Sequence, residues 1–318
     1  MISAATALDL RMPPRSVLGA GSFETLGEVA GKLGTRALLV TGGASLAASG
    51  VLARAEQLLQ ARGVATVHAA ATGEPSVKAV DETAARGRAA CCDLVVGIGG
   101  GSALDLAKAA AGLIPNEGSI REYLEGAGTG RVLDRAPLPF VALPTTAGTG
   151  SEATRNAVIG GRADGFKKSL RDPRLVPAAA IVDAELARSC PPLLTAMCGL
   201  DALTQLVESL TSLKATHLTD ALALSGLDAL GRGLPQAVER GDDLEARSLA
   251  AYAAFVSGVT LSHAGLGAVH GLASPAGAAC AAPHAAICGR LLGPVTAANV
   301  AALRAGRGPH GVLGAYDR

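Results

Sequence analysis

In the second half of this 318-residue chain, five side chains have the types and spacing for metal chemistry. Asp201, Gln205 and Glu208 fall at i, i+4 and i+7, so a helix here carries all three on one face, while Leu203, Leu206, Val207 and Leu210 supply its apolar surface. His270 and His284 follow, each in an apolar segment. One carboxylate and two imidazoles from three helical pieces match a two-His, one-carboxylate site with open coordination positions. A solvated polar face and two satisfied core histidines explain the same residues if the pieces do not converge.

The first half offers phosphate chemistry. In "DLVVGIGGGSALDLAKAAAGL", Asp93 to Leu113, an apolar run stops at Gly97 and Gly99, Gly100, Gly101 and Ser102 precede a helical pattern. Bare main chain there lets a diphosphate approach, and free N–H groups at a helix N-terminus complement its charge. Gly97-x-Gly99-x-x-Ser102 matches the ordinary dinucleotide fingerprint only in part, and a tight strand-to-helix turn is the plainer explanation. A second loop, "LPTTAGTGSEAT", adds Thr145, Thr146, Thr149, Ser151 and Thr154 among Gly148 and Gly150, hydroxyls suited to ribose and phosphate oxygens.

These loops need strands and helices to hold them. "RALLVTGG", "VATVHAA", "CDLVVGIGG" and "PFVALPTT" read as strands, alternating with helices at "LAASGVLARAEQLLQARG", "SVKAVDETAARGRAA" and "SALDLAKAAAGL". Ser76 suits an N-cap. Such alternation implies a parallel sheet flanked by helices. Beyond the double proline near Pro191 only helical spacing remains. The expected organisation is a Rossmann-like α/β dinucleotide-binding domain over 1–187 and an all-α metal and substrate domain over 188–318.

Taken together, "GGGSALDLAK", "PTTAGTGSEAT", "GLDAL…E" and "AVHGLASP…PH" resemble the iron-containing (group III) alcohol dehydrogenase family, which includes glycerol dehydrogenase and maleylacetate reductase, from about Gly19 to Val295. The resemblance implies a cleft between the two domains. It puts Gly99, Gly100, Gly101 and Ser102 on the pyrophosphate, with Asp105, Thr145, Thr146, Thr149 and Lys167 flanking the cofactor. It puts a divalent metal, Fe2+ or Zn2+, on Asp201, His270 and His284, which are also the catalytic residues, and a small alcohol or aldehyde in the cleft. Val40-Thr41-Gly42-Gly43 lacks both the acidic residue of NAD-preferring members and an Arg for a 2′-phosphate, so NAD and NADP are both expected.

Several positions depart from the family pattern. Gln205 stands where iron-dependent members have a further His ligand, and its amide oxygen is a poorer fourth donor. Ser274 replaces a His thought to relay a proton, and "PHA" replaces "PHG". Maleylacetate reductases keep the fold without metal but typically have Asn where Asp201 stands. The family continues for more helices than the sequence given, so a looser cleft or an altered subunit interface is expected. The alternatives are therefore a metal-free reductase or a nucleotide binder without turnover. Dehydroquinate synthase chemistry on this scaffold needs a cluster of phosphate-binding Arg and Lys in the helical half, which is not evident.

Composition fits this reading. Apolar residues are 49%, charged ones 17% and aromatics 2%, so an Ala/Val/Leu core is expected. A net charge of +1 gives no reason to expect nucleic acid. No unbroken apolar run reaches membrane-spanning length, the N-terminus lacks a signal-peptide pattern, and none of the six cysteines forms a CxxC pair. A cytoplasmic homo-oligomer, a dimer, with buried, inert thiols is the expectation.

Overall fold

The computed structural model describes residues 9–43, 46, 48–161, 165–280, 282–309 and 312–317. The chain divides into two compact units. One takes residues 12–146 and 151–190; the other takes 147–150 and 191–318, with the N-terminal segment through Arg11.

The first unit is an α/β layer structure. Its strands are β1 (Arg15–Leu18), β2 (Arg36–Thr41), β3 (Ala65–Ala70), β4 (Leu94–Gly99), β5 (Phe140–Pro144) and β8 (Ala179–Val182), joined as one parallel sheet in the order β1-β8-β5-β4-β2-β3. A separate antiparallel hairpin pairs β6 (Asn156–Gly161) with β7 (Phe166–Arg171). The helices are α1 (Leu26–Ala30), α2 (Val51–Gln60), α3 (Val77–Ala89) and α4 (Gly101–Leu113). Every residue of β4 and β5 is buried, which explains their unbroken apolar runs: a parallel sheet covered on both faces has no solvent side. Leu38, Val40 and Val95 meet α3 and α4 on one face, while Leu39, Val96, Ile98 and Val141 meet α1 and α2 on the other. Ser76 caps α3, its side chain accepting from Ala79 N.

The second unit is helical: α5 (Pro192–Leu210), α6 (His217–Glu239), α7 (Leu244–Ala264), α8 (Ala268–Ala279), α9 (His284–Arg304) and α10 (Leu313–Tyr316). With few aromatics, small residues bring these helices close. A Cβ on Gly226 would lie 2.9 Å from Leu206, and one on Gly258 would lie 2.2 Å from the carbonyl oxygen of Gly150. By length and mean hydropathy alone, α5 and α9 are long and apolar enough to cross a membrane, a pattern that a search for unbroken apolar runs does not register. In this fold α5 packs on α6, α7 and α9 and buries Asp201, Gln205 and Glu208 among them.

Candidate functional site

In an open parallel sheet, ligands bind beyond the strand carboxyl ends where the winding direction reverses. Here the chain leaves β2 outward to β3 and leaves β4 the opposite way to β5, so the reversal falls between β2 and β4. Gly42 N donates to Ile98 O at 2.9 Å at this point. The glycines are required by close approach. A Cβ on Gly97 would lie 2.9 Å from Ala107 Cβ, and one on Gly99 would lie 2.6 Å from Ala103 Cβ. Gly100 is the N-cap of α4 and makes no side-chain capping bond, so the positive end of a 13-residue helix is presented by bare main chain at Gly100, Gly101 and Ser102. Thr145 N donates to Gly99 O at 2.9 Å, and Thr146 flanks Gly100. Thr149 belongs to the helical unit, is exposed, and its carbonyl accepts from Gln205 Nε2 at 3.4 Å.

Of the five loop hydroxyls, Ser151 and Thr154 are buried and serve the scaffold. Lys108, one of the largest fully buried side chains, reaches from α4 to Ser151 O (2.7 Å), Ser151 Oγ (3.1 Å), Thr154 Oγ1 (2.8 Å) and Asn156 O (2.9 Å). Asp105, half-buried, accepts from Ser151 Oγ at 2.7 Å and from Val158 N at 3.1 Å, so both carboxylate oxygens brace this turn. Lys167 on β7 pairs with Glu74 at 2.6 Å. Lys108 went unread in the sequence because it sits in an alanine-rich helical pattern; the signal was a lysine three residues after an aspartate.

Burial dominates the titration of this turn. It pushes Glu152 up from 4.5 to about 7 and Lys108 down from 10.5 to about 8, and raises Asp105 as well. For Glu152 the native state binds more protons than the unfolded chain between 4.5 and about 7, so stability falls as pH rises through that interval. For Lys108 the unfolded chain binds more between about 8 and 10.5, so stability rises with pH there. The displacement of Glu152 corresponds to about 3 kcal/mol. Denaturant unfolding of wild type and Glu152→Gln on either side of the acidic interval should show wild type losing stability relative to the variant by that order as pH rises. A pH-independent difference would refute the assignment.

In the helical unit, donor atoms of Asp201, His270, His284 and Cys288 all lie within 4.8 Å of one another. Asp201 comes from the middle of α5, His270 from the first turn of α8, and His284 and Cys288 from successive turns of α9. His270 Nε2 is 3.4 Å from Asp201 Oδ1. Both atoms are buried and neither makes a hydrogen bond, an arrangement that a shared cation would satisfy. Cys288 Sγ lies 3.5 Å from His284 Nε2.

Glu208 sets the histidine. Its carboxylate accepts from His270 Nδ1 at 2.6 Å and from Val269 N at 2.6 Å, thereby capping α8 from α5 and directing the other ring nitrogen, Nε2, toward Asp201. Burial alone would raise Glu208, but bonding to His270 and to the N–H groups of Gly267 and Val269 holds it below the usual carboxylate range. Burial likewise opposes the His270 imidazolium, yet Asp201, Cys288 and Glu208 together raise it to about 11. This cluster therefore demands positive charge, as a proton or as a metal ion, and its residues fit a divalent cation.

The three sequence-derived ligands thus come together. Gln205 is engaged otherwise: its amide oxygen, the atom that would ligate, accepts from Ser257 Oγ at 2.6 Å. The thiols divide: Cys92, Cys198 and Cys288 are buried, whereas Cys91 and Cys280 are exposed, which corrects the expectation of uniformly buried cysteines. Cys288 went unread as a donor, although it follows His284 by one helical turn. His263 is occupied by Arg11 N and Val259 O.

Comparison with known proteins agrees with both halves. Residues 13–184 match the model described as iron-containing alcohol dehydrogenase, and residues 195–306 match the C-terminal domain of the Fe-containing alcohol dehydrogenase family. The chain is 40% identical over 274 residues to a probable alcohol dehydrogenase EutG of Salmonella typhimurium, covering 86% of this chain and 68% of that protein. It is 35% identical over 267 residues to an NAD-dependent methanol dehydrogenase of Bacillus methanolicus, covering 84% and 69%. A crystal structure of 1,3-propanediol oxidoreductase superposes with a TM-score of 0.88 at 31% identity, covering 98% of this chain and 84% of that one. With a nucleotide-suited sheet edge in one unit and a metal-suited cluster in the other, the chain belongs to the iron-containing alcohol dehydrogenase family.

Proposed function

We propose that this chain is a metal-dependent NAD(P) oxidoreductase that moves a hydride between a nicotinamide and a small alcohol or aldehyde. The observation that carries the reading is the convergence of Asp201, His270 and His284 on one buried point, with Asp201 Oδ1 and His270 Nε2 lacking hydrogen bonds. A divalent ion held there supplies Lewis-acid polarisation of the substrate oxygen, and the nicotinamide supplies the hydride acceptor. Glu208 fixes the ring of His270 and keeps Nε2 available. Gly99, Gly100, Gly101 and Ser102 receive the diphosphate against main chain, with Thr145 and Thr146 as hydroxyl partners. Asp105 and Lys108 act through Ser151, holding the loop's shape, and Lys167 flanks them. Among the described residues no disulfide joins the cysteines, which fits a reducing cytoplasm, and exposed Leu193, Leu213 and Leu272 on the helical unit fit a homodimer.

The decisive experiment is metal content measured alongside a panel of alcohols and aldehydes with each nicotinamide. Stoichiometric metal, lost together with activity in chelator, is expected. Full activity in metal-free protein would overturn the reading.

Cofactor choice rests on the turn after β2. Gly42 is half-buried, and a Cβ there would sit 3.6 Å from Gly99 Cα, ordinary contact, so a side chain fits. With no carboxylate at this point both cofactors are accepted. Gly42→Asp should raise the KM for NADPH by ~10- to 100-fold through repulsion of the 2′-phosphate, while NADH changes little. Equal loss with both cofactors would contradict the placement.

A further inference from the structure

We infer that Cys288 is itself a metal ligand, its thiolate joining Asp201, His270 and His284 as the fourth donor and turning the site toward zinc-like ions. This rests on the metal-dependent reading above. Two distances carry it. For a tetrahedral ion with oxygen and nitrogen donors at about 2.0–2.2 Å and sulfur at about 2.3 Å, the oxygen–nitrogen edge is about 3.4 Å and the sulfur–nitrogen edge about 3.6 Å. Asp201 Oδ1 and His270 Nε2 are 3.4 Å apart, and Cys288 Sγ and His284 Nε2 are 3.5 Å apart. Two edges that share no atom, drawn from different helices, both have the length that a common centre requires.

Placement agrees with the distances. His284 and Cys288 stand four residues apart on α9, so one helix face delivers both. Cys288 is fully buried with Val269 and Ala273, beside Ile287 and Leu291, so an apolar wall backs the sulfur and excludes competing water. Gln205, the other candidate for fourth donor, has its amide oxygen taken by Ser257. As the metal binds, the thiol proton of Cys288 and the Nε2 proton of His270 both pass to solvent, and no oxidant is involved. A thiolate favours zinc and cobalt over manganese or magnesium. A further oxygen enters by expansion to five-coordination, which catalytic zinc permits.

The test uses the full chain, stripped with chelator and reloaded with cobalt(II), with cobalt content and absorbance measured together. Wild type should bind about one cobalt per chain and display a strong thiolate-to-cobalt charge-transfer band in the near ultraviolet beside the visible ligand-field bands. Cys288→Ser should keep ligand-field bands, lose the charge-transfer band, and bind zinc at least ~10- to 100-fold more weakly. Cys198→Ser, which removes the other buried thiol of this unit, should keep the band. X-ray absorption of the unmodified zinc protein should find one sulfur at about 2.3 Å. Stoichiometric cobalt without the band, a zinc shell of nitrogen and oxygen alone, or a band that survives Cys288→Ser would overturn the inference while leaving the metal-dependent reading intact. Failure of wild type to bind any metal would overturn both.

Discussion

Asp201→Ala protein should purify folded, hold no stoichiometric metal, and oxidise alcohols on the order of a thousandfold more slowly in kcat/KM, a loss of about 4 kcal/mol of transition-state stabilisation. The argument is one of position. Asp201 is 2% exposed, and its Oδ1 makes no hydrogen bond and stands 3.4 Å from His270 Nε2, so this buried oxygen faces the donor cluster rather than solvent. Removing it takes away the only carboxylate in the four-residue donor cluster and leaves His270 held by Glu208. Cofactor binding, read by NADH fluorescence, should stay within about threefold of wild type, because sites with no shared partners add independently. Retained metal and activity would remove the basis of the proposed chemistry.

Gly100→Val should show the reverse pattern. Even a Cβ at this position would sit 3.3 Å from both Thr146 Cγ2 and Oγ1, and the valine methyls would occupy the space over the α4 N-terminus proposed for the diphosphate. The NADH dissociation constant should rise by ~100-fold or more, about 2.7 kcal/mol, with metal content unchanged. Unaltered NADH affinity measured by fluorescence titration would place the dinucleotide elsewhere.

How much of this was legible beforehand depended on whether local physics decided the element. Strands β2 through β5 and helices α2 through α4 alternate buried apolar runs with glycine punctuation, and Ser76 caps where its type suggests. The β6–β7 hairpin was hidden because "GFKKSLR" puts exposed Lys168 and half-buried Lys167 on a strand outside the main sheet, where no core face imposes an apolar run. The helical spacing beyond Pro191 does not reveal the break near His263: Gly265 at φ +75° ends α7, and the cap that starts α8 is the carboxylate of Glu208, sixty residues upstream of Ala268. Asp201, His270 and His284 were found through their types and the family pattern. Cys288 was not, because an isolated thiol in an apolar helix is usually packing material, and only the convergence of α5, α8 and α9 separates the two roles.

Helix α4 couples two tasks through its pitch. Its open end faces the β2–β4 reversal, while Asp105 and Lys108, one and two turns along, clasp the turn at Ser151 from below. Because each residue advances the helix by about 100°, a one-residue insertion or deletion between Ser102 and Lys108 would swing the ammonium off its four acceptors even if the glycines stayed in place. Glycine turn and hydroxyl turn thus behave as two jaws on one shaft, kept in step by the spacing along it.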